Sequence, residues 1–200
     1  MTVVAAGSVP IGAAPRPGRS VAWWGMLLVI TTEGMVFAIL LAAWLYLRAS
    51  SPSWPPAGTE LPDLRLTIPF SFVLWASSIP VLAAERALAR GRLVAFRTFM
   101  TVAWLMGAAF LAYTIHDFQA LHYGWRDSAY ASGFYAIVGL HAIHLGVGLA
   151  MVAVVVVKAA LGRYDRGHHR SAEVAALYWH FVDAVWLFVM PTVFLLGHLR

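Results

Sequence analysis

Five uninterrupted apolar runs constrain this chain more than any other feature. They span approximately Val21–Leu47, Leu66–Ala89, Phe96–Phe118, Ala131–Val157 and Val174–Leu196. A hydrocarbon core about 30 Å thick takes roughly 20 helical residues to cross, and each run is long enough. In lipid every backbone N–H and C=O must find a partner inside the protein, which leaves helices or closed barrels. The roughly ten-residue alternation of a membrane barrel is absent. The expected fold is therefore all-α: an integral membrane bundle of five transmembrane helices. Composition closes the alternatives. Hydrophobic residues make up 61% and charged residues 12%, and the mean hydropathy is +0.75. A soluble domain of this kind would expose large apolar patches. A disordered chain would hold far less apolar surface. Cysteine is absent, so a disulfide frame, a thiolate metal site and a cysteine nucleophile are excluded.

The basic residues give an orientation. The first twenty residues are small and rich in Pro and Gly, and read as a disordered tail before a single domain over 21–200. With five crossings, that tail and the second and fourth links share one side. They hold Arg16 and Arg19, then Arg86, Arg90, Arg92 and Arg97, then Lys158, Arg163, Arg166 and Arg170, ten in all. The opposite side holds four: Arg48, Arg65, Arg126 and Arg200. The positive-inside rule then predicts a cytoplasmic N-terminus and an external C-terminus. The same distribution accounts for a pI near 10.0 without nucleic acid as a partner. Trp23, Trp24, Trp44, Tyr46, Tyr123, Trp125, Tyr130, Tyr178 and Trp179 fall near the ends of the runs, as an interfacial aromatic belt would. The irregular link Ser51–Pro62, with Trp54-Pro55-Pro56, is expected on the membrane surface.

An ionisable group in hydrocarbon costs several kcal/mol unless it is paired, neutralised or hydrated. Glu33 lies about a dozen residues into the first run, roughly mid-bilayer at 1.5 Å per residue. His141 and His144 stand at i and i+3 in the fourth run, and His180 and Asp183 repeat that spacing in the fifth. Residues so spaced share a helix face. Together Glu33, His141, His144, His180 and Asp183 read as a buried polar seam whose imidazoles bond to a carboxyl or to backbone. A carboxylate-bridged metal site or a haem with an axial histidine would draw on the same residues. The Glu-x-x-His pairs of the first are missing, however, and no redox ligand set is complete. The glycines flanking the histidine pair, Gly139, Gly146 and Gly148, suggest close helix approach. His116, Asp117 and His122 read as a hydrated rim, and His168-His169 as a surface pair in a basic loop. No phosphate loop, nucleophile elbow or zincin motif is present, and no catalytic residue is assigned.

Several strings in this order resemble the cytochrome c oxidase subunit 3 family, subunit III of the haem-copper oxidases. Tyr178-Trp179-His180-Phe181-Val182-Asp183-Ala184-Val185-Trp186-Leu187-Phe188 resembles the family's Y-W-H-F-V-D-x-V-W-L-F signature. Gly139-Leu140-His141-Ala142-Ile143-His144 resembles its G-x-H-x-x-H element, and Thr32-Glu33-Gly34-Met35-Val36-Phe37 its S-E-x-x-x-F helix. Trp54-Pro55-Pro56 falls where the family has W-P-P. The likeness covers about residues 20–200 and is to the last five helices of the seven-helix members, as in the short bacterial form. Where the family reads Q-x-x-E-Y, this chain has Gln119-Ala120-Leu121-His122-Tyr123.

The resemblance implies a non-catalytic accessory subunit of a terminal oxidase that passes electrons from cytochrome c to oxygen and translocates protons. On that reading the chain binds no haem, copper or other metal, since haem and copper sit in partner subunits. It packs chiefly against subunit I, alongside subunit II and further respiratory-complex subunits, binds phospholipid and supports proton uptake. The expected location is a bacterial cytoplasmic membrane, crossed several times. Glu33, His141, His144, His180 and Asp183 become the lipid-binding or polar-seam residues, and Tyr178, Trp179 and Trp186 the subunit signature. Two alternatives remain: a subunit-III-like partner of a nitric oxide reductase, or an independent proton carrier using Glu33.

Overall fold

A computed structural model of the chain describes residues 20–56, 59, 61–164 and 170–198. The tail to residue 19, Arg166, His168-His169 and Arg200 lie outside the described residues. The helices are α1 (Val21–Ser50), α2 (Leu64–Ala76), α3 (Ser78–Ala89), α4 (Leu93–Ala120), α5 (Ala129–Ala160), α6 (Arg170–Val189) and a short α7 (Leu196–His198). A π-helical segment, Met190–Leu195, joins α6 to α7. Among the described residues, five stretches are long and apolar enough to cross a membrane: α1, α2 with α3, α4, α5, and α6 through α7.

Three of the helices, α1, α2 and α5, begin at polar side-chain caps. Ser20 accepts from the Trp23 N–H at 3.2 Å, Asp63 from Arg65 at 2.8 Å and Ser128 from Ala131 at 3.0 Å. Such caps satisfy N–H groups that have no partner within the helix. Two proline effects went beyond the sequence reading. Pro80 has no N–H to bond the Ala76 carbonyl, and the second crossing is interrupted at Ser77. Pro191 opens the π segment, where the Leu196 N–H reaches back five residues to the Pro191 carbonyl.

α6 is the hub, packing on α1, α3 and α5, while α4 lies against α3 and α5. Large side chains such as Leu28, Met35, Ile39, Ile79, Ile143 and Phe188 point outward. That outer face suits lipid, which does not reward burying them. The helices are instead drawn together by close packing and polar contacts. Gly107 lets the Trp179 ring lie against α4, and Gly133 does the same for Trp44. Gly148 faces Trp179 and Tyr178, but Gly146 has nothing within 4 Å, so the packing expected of Gly146 is not made.

The aromatic belt needs correction. Trp24, Tyr46 and Trp125 are exposed near helix ends, but Trp44, Tyr130, Tyr178 and Trp179 are buried in the bundle. Aromatic rings carry the largest packing area available, and here they fill the spaces left by small residues. Trp54 likewise turns onto the bundle, with its ring 5.1 Å from Trp44 and 5.3 Å from Tyr130. The Trp54–Pro55 peptide is cis.

Candidate functional site

The five polar residues expected to form one seam divide into two bonded groups with a histidine between them. In the first, α1 brings Glu33 to His144 on α5, with Oε2 and Nε2 3.2 Å apart. His144 Nδ1 lies 2.8 Å from the Leu140 carbonyl. A carbonyl only accepts, so Nδ1 carries a hydrogen. Nε2 and Glu33 then share one further proton, as a carboxylic acid facing a bare nitrogen or as an imidazolium facing a carboxylate. Either way the pair has no net charge, which lowers the cost of holding it in lipid. The Glu33 side chain is 37% exposed and that of His144 10%, so the carboxyl opens to one flank of the bundle.

The second group joins α3 to α6. Ser78 Oγ donates to Asp183 Oδ2 and lies 3.1 Å from His180 Nδ1. The hydroxyl hydrogen is committed to the carboxylate, so Nδ1–H donates to the hydroxyl oxygen. Asp183 Oδ1 and His180 Nε2 have no partner among the described residues. His141 belongs to neither group. Its Nε2 donates to the Val182 carbonyl at 3.3 Å, and its ring packs on Trp186 at 4.6 Å and Phe110 at 6.1 Å.

The partners of the signature tryptophans are serines on α2 and at its end. Trp179 Nε1 donates to Ser77 Oγ at 2.8 Å, and Trp186 Nε1 to Ser71 Oγ at 2.9 Å. Thr67 continues this row, 2.6 Å from the Tyr113 hydroxyl. Sequence reasoning missed these hydroxyls. The signal was there, since Thr67, Ser71, Ser78 and Glu85 recur at spacings of four and seven along the second run, the repeat of one helix face. Tyr178 lies flat beside His144, with ring centroids 6.5 Å apart.

Among the described residues no three His, Asp or Glu side chains come together to hold a metal ion. The histidines face different partners: His144 faces Glu33, His180 faces Ser78 and His141 faces the Val182 carbonyl. A groove of about 540 Å³ lies between α1 and α6, lined by Ile30, Gly34, Ala38, Phe181, Ala184 and Phe188 among others. It is apolar and runs alongside the helix turn that carries Glu33.

Residues 12–198 match the family described as Cytochrome c oxidase subunit III. The chain belongs to the cytochrome c oxidase subunit III family. Membership makes it a subunit of the haem-copper oxidase type. It is 30% identical over 173 residues to cytochrome c oxidase subunit 3 of Thermostichus vulcanus, covering 86% of each chain. It is 33% identical over 176 residues to the Synechocystis sp. protein of that name, covering 86% of this chain and 75% of that one. The Alkalihalophilus pseudofirmus protein is 31% identical over 179 residues, with 86% and 85% covered. The paired Glu33 and His144, and the Ser78, His180 and Asp183 group, are thus features of a family subunit that carries no redox centre.

Proposed function

We propose that this chain is a non-catalytic accessory subunit of a proton-translocating cytochrome c oxidase, seated in a bacterial cytoplasmic membrane. It packs against the subunit that carries haem and copper, contacts subunit II, holds phospholipid and sustains proton uptake. Its N-terminus and its second and fourth links are cytoplasmic, following the excess of arginine there. The observation that carries the reading is the internal pairing of the costly polar side chains. Glu33 is matched by His144 on a neighbouring helix, and Asp183 by Ser78, which suits a rigid scaffold more than a turnover site. The apolar groove between α1 and α6 supports the lipid role, since an acyl chain needs such a trough with a polar group at its side. Glu33 and His144 form that polar group, and the basic links supply charge for anionic head groups.

Affinity purification through this chain in mild detergent tests the reading. A large haem- and copper-bearing oxidase subunit and bound phospholipid should co-purify, and the separated chain should show no haem absorption. Recovery of a nitric oxide reductase catalytic subunit would overturn it. So would proton flux through vesicles holding this chain alone, in favour of a carrier.

A further inference from the structure

A second cavity, about 350 Å³ and as polar as it is apolar, opens beside the end of the bundle where α1 begins and α3 ends. It is lined by Trp23 from α1, Glu85 from α3, and Glu173, Leu177 and His180 from α6. Glu85 is four residues from the end of α3 and Glu173 three from the start of α6, so water and ions at that surface lie within about two helical turns. His180 stands at the inner wall. Its Nδ1 is used by Ser78, which leaves Nε2, shielded and without a protein partner, as the nitrogen that can take a proton. Behind Ser78 is Asp183, buried, with one oxygen on the hydroxyl and the other unpartnered.

We propose that His180 and Ser78 form a proton-exchange path joining this cavity to the Asp183 carboxyl, making Asp183 a buried proton-binding site filled from that end of the bundle. The transfer balances without any other reactant. A proton from the cavity adds to His180 Nε2. The Nδ1 proton passes to Ser78 Oγ as the Ser78 hydrogen passes to Asp183 Oδ2. Afterwards His180 is neutral with its hydrogen on Nε2, Ser78 donates to Nδ1, and Asp183 is a carboxylic acid donating to Ser78. Release runs the same steps backwards. Glu85 and Glu173 face the entrance and concentrate protons there. Of the titratable groups on the surrounding helices, Glu33 is engaged with His144 and His141 with the Val182 carbonyl. Arg86 and Arg90 of α3 point outward. The inference goes beyond the accessory role and does not depend on it.

Infrared difference spectroscopy of the intact complex, with carbon-13 in aspartate carboxyls, reads the proton on Asp183 directly. Asp183→Asn should remove one protonated-carboxyl band that grows as the pH is lowered. In the otherwise wild-type complex that band should shift quickly on moving to D2O. In Ser78→Ala, which deletes one oxygen, and in His180→Phe, exchange should slow by about a hundredfold, the scale of losing a positioned proton-transfer group. Should His180→Phe fail to assemble, Ser78→Ala decides alone. Exchange in Ser78→Ala as fast as in the unaltered complex would overturn the proposal, as would Asp183→Asn removing no such band. Either failure leaves the accessory role standing, because co-purification tests that separately.

Discussion

Gly107→Ala is the sharpest test of how this bundle is held together. A Cβ at Gly107 would collide with Trp179 Cη2 and would lie 2.8 Å from Cζ2 and 3.4 Å from Leu149 Cδ2. The indole cannot simply move aside, since it is 1% exposed and tied by Nε1 to Ser77 Oγ at 2.8 Å. Overpacking of this kind costs about 1–3 kcal/mol, and displacing the indole from Ser77 adds about 0.5–1.5 kcal/mol. Alanine's better helix propensity returns about 1 kcal/mol. The net loss is about 0.5–3.5 kcal/mol. Gly146→Ala is the matched control: with nothing within 4 Å, it keeps the propensity gain and meets no clash. Reversible unfolding in mixed micelles of increasing SDS content, followed by tryptophan fluorescence, measures both. Gly107→Ala within about 0.5 kcal/mol of Gly146→Ala would refute the packing argument.

Three further outcomes are expected. Single cysteines at Arg90 and Ser53, probed in intact cells with an impermeant thiol reagent, should label at 53 and not at 90, and the reverse pattern would invert the orientation. Elemental analysis should find no stoichiometric iron, copper or zinc on His141, His144, His180 and Asp183, and one metal per chain lost in His144→Ala would contradict the bonding described. The buried Tyr164 phenol, in the link after α5, is pushed above its ordinary value by burial, against a smaller opposing effect of its Ser171 hydrogen bond. Its contribution to stability is therefore complete below pH 10.0, the unfolded phenol value, and is lost as pH climbs towards the raised one. Tyr164→Phe should flatten that alkaline fall in thermal stability, and an unchanged pH profile would count against it.

Much of the architecture was legible because hydrocarbon imposes one rule on every crossing. The five runs had to be helices, and Ser20, Asp63 and Ser128, which cap three of them, were in the sequence. The break at Ser77 and the π segment were harder to read. Pro80 and Pro191 are visible in the sequence, but whether a proline kinks, interrupts or widens a helix depends on what packs against it. Polarity pointed to Glu33, His144, His180 and Asp183, because each is expensive in lipid. It did not reveal their partners, which depend on which helices are neighbours. Ser71, Ser77 and Ser78 were overlooked since a hydroxyl can bond its own helix backbone and costs little there. The burial of Trp179 and Trp186 shows what Ser77 and Ser71 do, and Asp183 shows what Ser78 does. The same tryptophan that marks an interface in sequence serves equally well as core, and Trp44 and Trp179 are core.

On the proposed function, the polar side chains of this subunit stabilise an oxidase and take no part in its chemical step. Glu33→Gln in the assembled complex tests it most directly, because the amide keeps the shape and a hydrogen bond to His144 while removing an ionisable group. Oxygen consumption should begin at nearly the unaltered rate, with any difference appearing as changed lipid content or faster inactivation over many turnovers. An initial rate lower by about 10²–10⁴, the cost of removing a general acid–base group, would contradict the account and make Glu33 a direct proton relay.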